Sequence, residues 1–115
     1  MRLADVEFST RDRALVAYVT GEIDLSNSTE LAGVLADATA NHLLALVLNL
    51  SEVDYLDSAG IQLIYRLRES LRSRGQALRL VIPGNSPAHD ALRLAGLVPR
   101  IDICETVDEA VRGLE

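Results

Sequence analysis

The sequence predicts an α/β domain: a mixed, mostly parallel β-sheet of four to five strands flanked by about four α-helices. Three observations carry this. Residues 43–50 form an almost unbroken apolar run of the kind a sheet buried on both faces requires. Short strand-like runs alternate along the chain with segments whose apolar residues recur at i, i+3, i+4 and i+7. Glycine and proline punctuate the changeovers, at Gly21, Gly75, Pro83-Gly84 and Gly96.

The elements follow in order. Residues 3–9 show the mixed alternation of a first strand, and residues 10–13 read as a polar turn. Residues 15–19 form a buried strand that ends at Gly21. Ser26 and Asn27 are N-cap candidates, and Asn27 with Glu30 makes a variant capping box. Leu31, Val34, Leu35 and Ala38 then define one apolar helix face. The run 43–50 is the central strand, and residues 51–58 are a polar turn. A second helix starts near Ser58, with Leu63, Ile64, Leu67 and Leu71 inward and Gln62, Arg66, Glu69 and Arg72 outward; Gly75 stops it. Residues 77–82 are a strand closed by Pro83-Gly84. A third helix carries Ala88, Ala91, Leu92 and Ala95 and stops at Gly96. Residues 101–103 are a short strand, and Val107, Ala110, Val111 and Leu114 mark a last helix.

The chain has 115 residues, enough for one domain with a modest core. With 49% hydrophobic and 24% charged residues it has the balance of a folded protein rather than a disordered one. Aromatic residues make up only 3%, so the core must be aliphatic. The net charge of −6 disfavours nucleic acid, which needs a basic face. All 11 basic residues are Arg, so phosphate-cradling, Schiff-base and general-base lysines are excluded. The single cysteine, Cys104, rules out an intramolecular disulfide, and it lies in an apolar stretch that suits packing. Neither His42 nor His89 has metal-ligand spacing to the other or to Cys104. The first residues lack the apolar stretch of a signal peptide, and no apolar run approaches the ~20 residues of a membrane span. The expected location is the cytoplasm, without membrane insertion.

If the strands before Gly21, Ser51 and Pro83 run parallel, their carboxyl ends share one sheet edge. The loops 21–26, 51–58 and 83–87 then converge there and bring Asp24, Asp57, Ser58, Asn85 and Ser86 to one surface. Ser58 stands out, since a serine at a helix N-terminus lies where free N–H groups and the helix dipole favour a phosphate. Read locally, the same serine is an N-cap, Asp57 a cap carboxylate and Asp24 a turn residue. Gly60 permits either close backbone approach by a partner or plain packing. An enzymatic Ser58 would need a base such as His89, and the G-x-S-x-G elbow is absent because Leu56 stands two residues before Ser58.

Several segments together resemble a known family. Gly21-Glu22-Ile23-Asp24 resembles the G-E-L-D turn of the STAS domain. Leu46-Val47-Leu48-Asn49-Leu50-Ser51 resembles its central strand, which usually ends D-L-S. Val53-Asp54-Tyr55-Leu56-Asp57-Ser58-Ala59-Gly60 resembles its signature V-x-[FY]-[IL]-D-S-[SA]-G. Ala95-Gly96-Leu97 and Thr106-Val107-Asp108-Glu109-Ala110 follow its spacing, so the likeness covers nearly the whole chain, residues 1–115, as one STAS domain. Within the family the chain is most similar to bacterial anti-sigma factor antagonists.

That resemblance implies a non-enzymatic binding switch with no cofactor. The unmodified protein would bind an anti-sigma factor that is also an ATP-dependent serine kinase, freeing the sigma factor. Phosphorylation of Ser58 would break the complex, and a serine phosphatase would reset it. The implied partner surface comprises Asp24, Asp57, Ser58, Ala59, Gly60, Gln62, Asn85 and Ser86. Asn49 stands where the family often has Asp, a change expected to remove a negative charge close to the switch. The alternative is a STAS subunit without a reversible phosphate, either a stress-signalling scaffold or a cytoplasmic subunit of a lipid-transport complex.

Overall fold

The computed structural model describes residues 5–97, 101–112 and 114. Its elements run β1 (Asp5–Arg11), β2 (Ala14–Ile23), α1 (Ser28–Ala38), β3 (Ala45–Leu56), α2 (Ser58–Ser73), β4 (Ala77–Val81), α3 (Pro87–Leu94), β5 (Asp102–Cys104) and α4 (Val107–Val111). They form one five-stranded sheet in the order β1-β2-β3-β4-β5. β1 pairs antiparallel with β2, and every other pair is parallel. The mixed, mostly parallel sheet with four helices is the predicted architecture.

The strand order has a direct packing consequence. Each parallel crossover steps to the next position in the same direction, and crossovers are right-handed, so α1, α2 and α3 must lie on the same face. The core shows this. Leu31 and Leu35 of α1, Leu63, Ile64, Leu67 and Leu71 of α2, and Ala88 and Leu92 of α3 share one cluster with Leu15, Leu46, Leu48 and Leu80 of the sheet. The opposite face is covered by α4, whose Ala110 and Val111 pack with Ala14, Val16, Ala45, Val47 and Val81. The largest fully buried side chains are all Ile, Leu or Val, as the scarcity of aromatics requires. Unlike a doubly wound sheet, this one never reverses its strand order, so it has no crevice at a switch point. Any site must be built on the carboxyl edge itself and on the helices.

Cys104 belongs to the second cluster, packed at its margin. Burial pushes its thiol pKa up, with Glu109 and Asp102 adding to the rise and Arg79 opposing it. A raised pKa leaves less thiolate at neutral pH. Alkylation of the folded protein at neutral pH is therefore expected to be slower than that of the urea-unfolded chain, followed by mass spectrometry; equal rates would contradict the packing described.

Several element boundaries differ from the sequence expectation. The first strand begins at Asp5 among the described residues and runs on to Arg11; the predicted positions Leu3 and Ala4 lie outside the described residues. The turn shrinks to Asp12 and Arg13, and Asp12 takes φ +54°, which its short polar side chain tolerates better than most. β2 does not stop at Gly21 but passes through it to Ile23, with Gly21 at φ +99°. β3 does not stop near residue 50 but continues to Leu56, so most of the predicted turn 51–58 is strand. Tyr18 faces Asn49 while Thr20 faces Glu52, and Gly21 faces Val53 while Glu22 faces Tyr55. β3 thus carries an extra residue twice against β2, and its inward residues fall at Leu46, Leu48, Leu50, Val53 and Leu56. In α1 the buried face is Leu31 and Leu35 with Ala32 and Ala36 against the core, and Val34 turns outward, 40% exposed. In α3 Ala88 and Leu92 are buried, while Ala95 is the exposed C-cap residue rather than part of the apolar face. The short strand is Asp102–Cys104, one residue later than expected.

Candidate functional site at the start of helix α2

The two bulges carry β3 beyond the end of β4. The β3–β4 pairing ends at Asn49 opposite Val81, and β3 runs on with β2 alone to Leu56. Bulges often mark the rim of a functional site, where they re-aim the chain. Here they deliver Leu56 back to the core and leave Asp57 as the first residue beyond the sheet. Its N–H donates to the Ile23 carbonyl at 3.3 Å, which ties the end of β3 to the end of β2.

Asp57 is extended, with φ −95° and ψ −171°, and is the N-cap of α2. Its Oδ1 accepts from the Ala59 N–H at 2.9 Å and the Gly60 N–H at 3.1 Å. This satisfies two of the free donors of the first turn and places a negative charge at the positive end of the helix. Ser58 is therefore the first helical residue and not the cap. It is exposed, and among the described residues its hydroxyl makes no hydrogen bond.

Gly60 is a packing glycine. It is buried, and a Cβ there would lie 2.4 Å from Leu56 Cδ1, 3.1 Å from Ile23 Cγ2 and 3.2 Å from the Ile23 carbonyl oxygen. The absence of a side chain is what lets the helix start seat against the ends of β2 and β3, rather than admitting a partner's backbone. Gly60→Ala is expected to cost about 1–3 kcal/mol through overpacking. Gly33, on the exposed side of α1, has nothing within 4 Å of its would-be Cβ, so Gly33→Ala should stabilise by about 0.5–1 kcal/mol. Urea unfolding of the two variants checks the opposite signs.

Asp24 is a turn residue, only 8% exposed. Its Oδ1 accepts from the N–H and hydroxyl of Ser26, and its carbonyl accepts from the Asn27 and Ser28 N–H groups. Asn27 precedes α1 as its N-cap but makes no side-chain cap. Its side chain turns back instead, accepting from the Asp24 N–H and donating to the Glu22 carbonyl, so the capping box with Glu30 does not form. The competing bonds hold the 21–27 segment in shape beside Asp57.

The third loop is set apart. β4 ends level with Asn49, and β3 continues for seven residues beyond it, roughly 20 Å of strand. Ser86 is the N-cap of α3, its Oγ accepting from the His89 N–H and donating to the Pro83 carbonyl, and Asn85 is exposed. These two therefore start lower on the sheet than Ser58. His89 lines a groove with Ile82 and residues 101–105 at the β5 side, away from the helix start of α2. Asn49 follows Val47 on the α4 face of the sheet, where its Oδ1 accepts from the N–H and hydroxyl of Ser51. It is roughly 20 Å along the strand from Asp57, well beyond the ~8 Å over which charges act in physiological salt. The expectation that Asn49 removes a charge close to the switch is thus corrected: Asn49 shapes the first bulge.

The exposed surface around Ser58 contains residues that sequence reasoning did not single out. Ser58, Gln62 and Arg66 recur every four residues and form one exposed line along α2. Ala59, Gln62 and Arg66 line a groove with Leu25, Thr29 and Ala32 of the α1 side. Leu25 is 81% exposed, and Tyr55 and Tyr65 are about half exposed. Arg66 makes no ion pair among the described residues. The spacing of four from Ser58 was legible; Leu25 carried no signal beyond being an apolar residue in a polar turn.

Comparison with known proteins agrees with this architecture. The anti-sigma-F factor antagonist RsfB of Mycobacterium tuberculosis is 28% identical over 100 residues, covering 86% of this chain and 80% of that protein. The crystal structure of an anti-sigma factor antagonist from Mycobacterium paratuberculosis superposes with a TM-score of 0.84 at 25% identity, over 97% of this chain and 94% of the other. The Bacillus cell fate determinant SpoIIAA in its phosphorylated form shares the fold, with a TM-score of 0.68 at 18% identity over 96% of this chain and all of that one. The STAS domain pattern matches residues 5–110, and the chain belongs to the STAS domain family.

Proposed function

We propose that this protein is an anti-sigma factor antagonist whose binding is switched by phosphorylation of Ser58. In the unmodified form the surface formed by Ser58, Ala59, Gln62 and the neighbouring Leu25 and Arg66 docks on an anti-sigma factor in the cytoplasm, and the sigma factor is released. Asp24, Asp57 and Gly60 hold that surface in shape from beneath, and Asn85 and Ser86 stand at its periphery. The anti-sigma factor is an ATP-dependent serine kinase that modifies Ser58 and is thereby expelled; a serine phosphatase restores the unmodified form.

The observation that carries this reading is the division of labour between two adjacent residues. Asp57 caps α2, so the Ser58 hydroxyl is exposed and uncommitted. A modification at Ser58 therefore costs the helix no cap. Phosphate brings about −1.5 to −2 charges, and the first turn of a helix tolerates them. A partner groove shaped for a neutral hydroxyl does not, and like charges brought together there cost several kcal/mol. The named relatives are anti-sigma factor antagonists, and SpoIIAA exists in a phosphorylated form.

The test is the intact mass of the protein isolated from its own cells in growth and under stress. A species heavier by one phosphate, mapped to Ser58 and varying with condition, is the expected result. A single unmodified mass in every condition would overturn the switch.

A further inference from the structure

The two edges of the sheet are unlike. β5 is three residues long, a short edge of the kind that resists pairing, whereas β1 pairs with β2 without interruption over seven residues. β1 contains no proline, no lysine and no bulge, and its charged residues, Asp5, Glu7 and Arg11, are of both signs, so they can pair as well as repel; six of its seven residues are exposed. We infer that β1 pairs antiparallel with β1 of a second copy of this chain, joining two sheets into one.

The register follows from hydrogen bonding. Asp12 and Arg13 make a two-residue turn, so Arg11 and Ala14 form the closing hydrogen-bonded pair. Residues Asp5, Glu7, Ser9 and Arg11 then direct their N–H and C=O groups to β2, because such pairs alternate. The Arg13 carbonyl accepts from Leu44 N–H on the β3 side, which agrees with that parity. Val6, Phe8 and Thr10 consequently point their backbone groups outward, and among the described residues no backbone bond reaches them from that side.

One two-fold register satisfies all six outward groups. With Phe8 opposite Phe8 of the second copy, Val6 faces Thr10 and each such pair exchanges two hydrogen bonds. Asp5 then faces Arg11 at both ends, and Glu7 faces Ser9. Shifting the centre to Glu7 brings two like charges together, and shifting it to Ser9 sets Val6 against the turn residue Asp12 and leaves outward groups unpaired. The chosen register also opposes the only phenylalanine of the chain, 40% exposed, with itself. Arg11 already pairs with Asp108 of α4, but both side chains are exposed, and such a pair is worth little enough to be shared or exchanged. The association is small in area and therefore reversible. It leaves Ser58 free and does not depend on the proposed switch.

Sedimentation equilibrium of the whole chain over a wide concentration range tests this. The wild-type mass should rise with concentration from 12.5 kDa towards twice that value. Thr10→Pro removes an outward N–H that β2 does not use, and should give a monomer at every concentration with an unchanged circular dichroism spectrum. Arg11→Asp, which sets Asp against Asp5 at both ends, should move dimerisation to higher concentration, and the charge exchange Asp5→Arg with Arg11→Asp should reverse that shift. A wild-type mass of 12.5 kDa throughout overturns the inference, as does a dimer that survives Thr10→Pro or a charge exchange that restores nothing.

Discussion

Ser58→Asp is expected to weaken binding to a cognate anti-sigma factor by tenfold or more while the domain stays folded. The fold is insulated because an acidic residue at the first helical position interacts favourably with the helix dipole, by about 0.3–1 kcal/mol. The loss at the interface comes from a carboxylate in a groove that fits a hydroxyl, and about 1.4 kcal/mol already makes a factor of ten. Ser58→Ala should behave oppositely: it should bind as the wild type does and stay bound when ATP is added. Titration calorimetry with the partner measures the first effect, and elution of the complex with and without ATP measures the second. Unchanged affinity in Ser58→Asp would remove the charge mechanism. ATP-driven release of Ser58→Ala would place the modified residue elsewhere.

The largest stability effect is expected at Ile64→Ala. Ile64 is fully buried on α2 and belongs to the main cluster beneath the candidate site. Truncation forfeits the burial of three carbons and leaves a cavity that rigid neighbours only partly fill, a loss of about 2–5 kcal/mol. Against a total stability of about 5–15 kcal/mol for a domain of this kind, that is a large share. The melting temperature should fall by roughly 10–20 °C. Val34→Ala, on the outward side of α1, should change stability by only about 0.5 kcal/mol. A melting curve for each separates the two; comparable losses would contradict the helix orientation.

The architecture was legible because its signals are dense and independent. The run through Leu46 and Leu48 is apolar on both faces of the sheet, and the 3.6 period of Leu63, Ile64, Leu67 and Leu71 is unbroken. What stayed illegible has local physical causes. The second half of β3 was read as a turn because each bulge stretches the inward spacing from two residues to three, at Leu50, Val53 and Leu56, which destroys the alternation a strand is recognised by. The continuation of β2 through Gly21 was hidden by a glycine that usually ends a strand. At α1, Leu31 and Leu35 were correctly inward, but Val34 lost its place because Ala32 and Ala36 are small enough to take the other side of the contact. That Ser58 lies on an accessible surface was legible, but which residue caps the helix was not, since Asp57 and Ser58 are both good caps and only the geometry assigns the role to Asp57.

The monotonic strand order also governs how the chain can assemble as it leaves the ribosome. Each strand docks beside the one made just before it, so no strand waits for a more distant partner and each parallel crossover closes over a single helix. The β1–β2 hairpin comes first and serves as a platform, and each helix–strand unit widens it by one position. The second face is sealed last. Until α4 emerges, Ala14, Val16, Ala45 and Val47 lack the cover of Ala110, Val111 and Leu114, so the nascent domain carries an apolar sheet surface that α4 and Leu114 beyond it conceal.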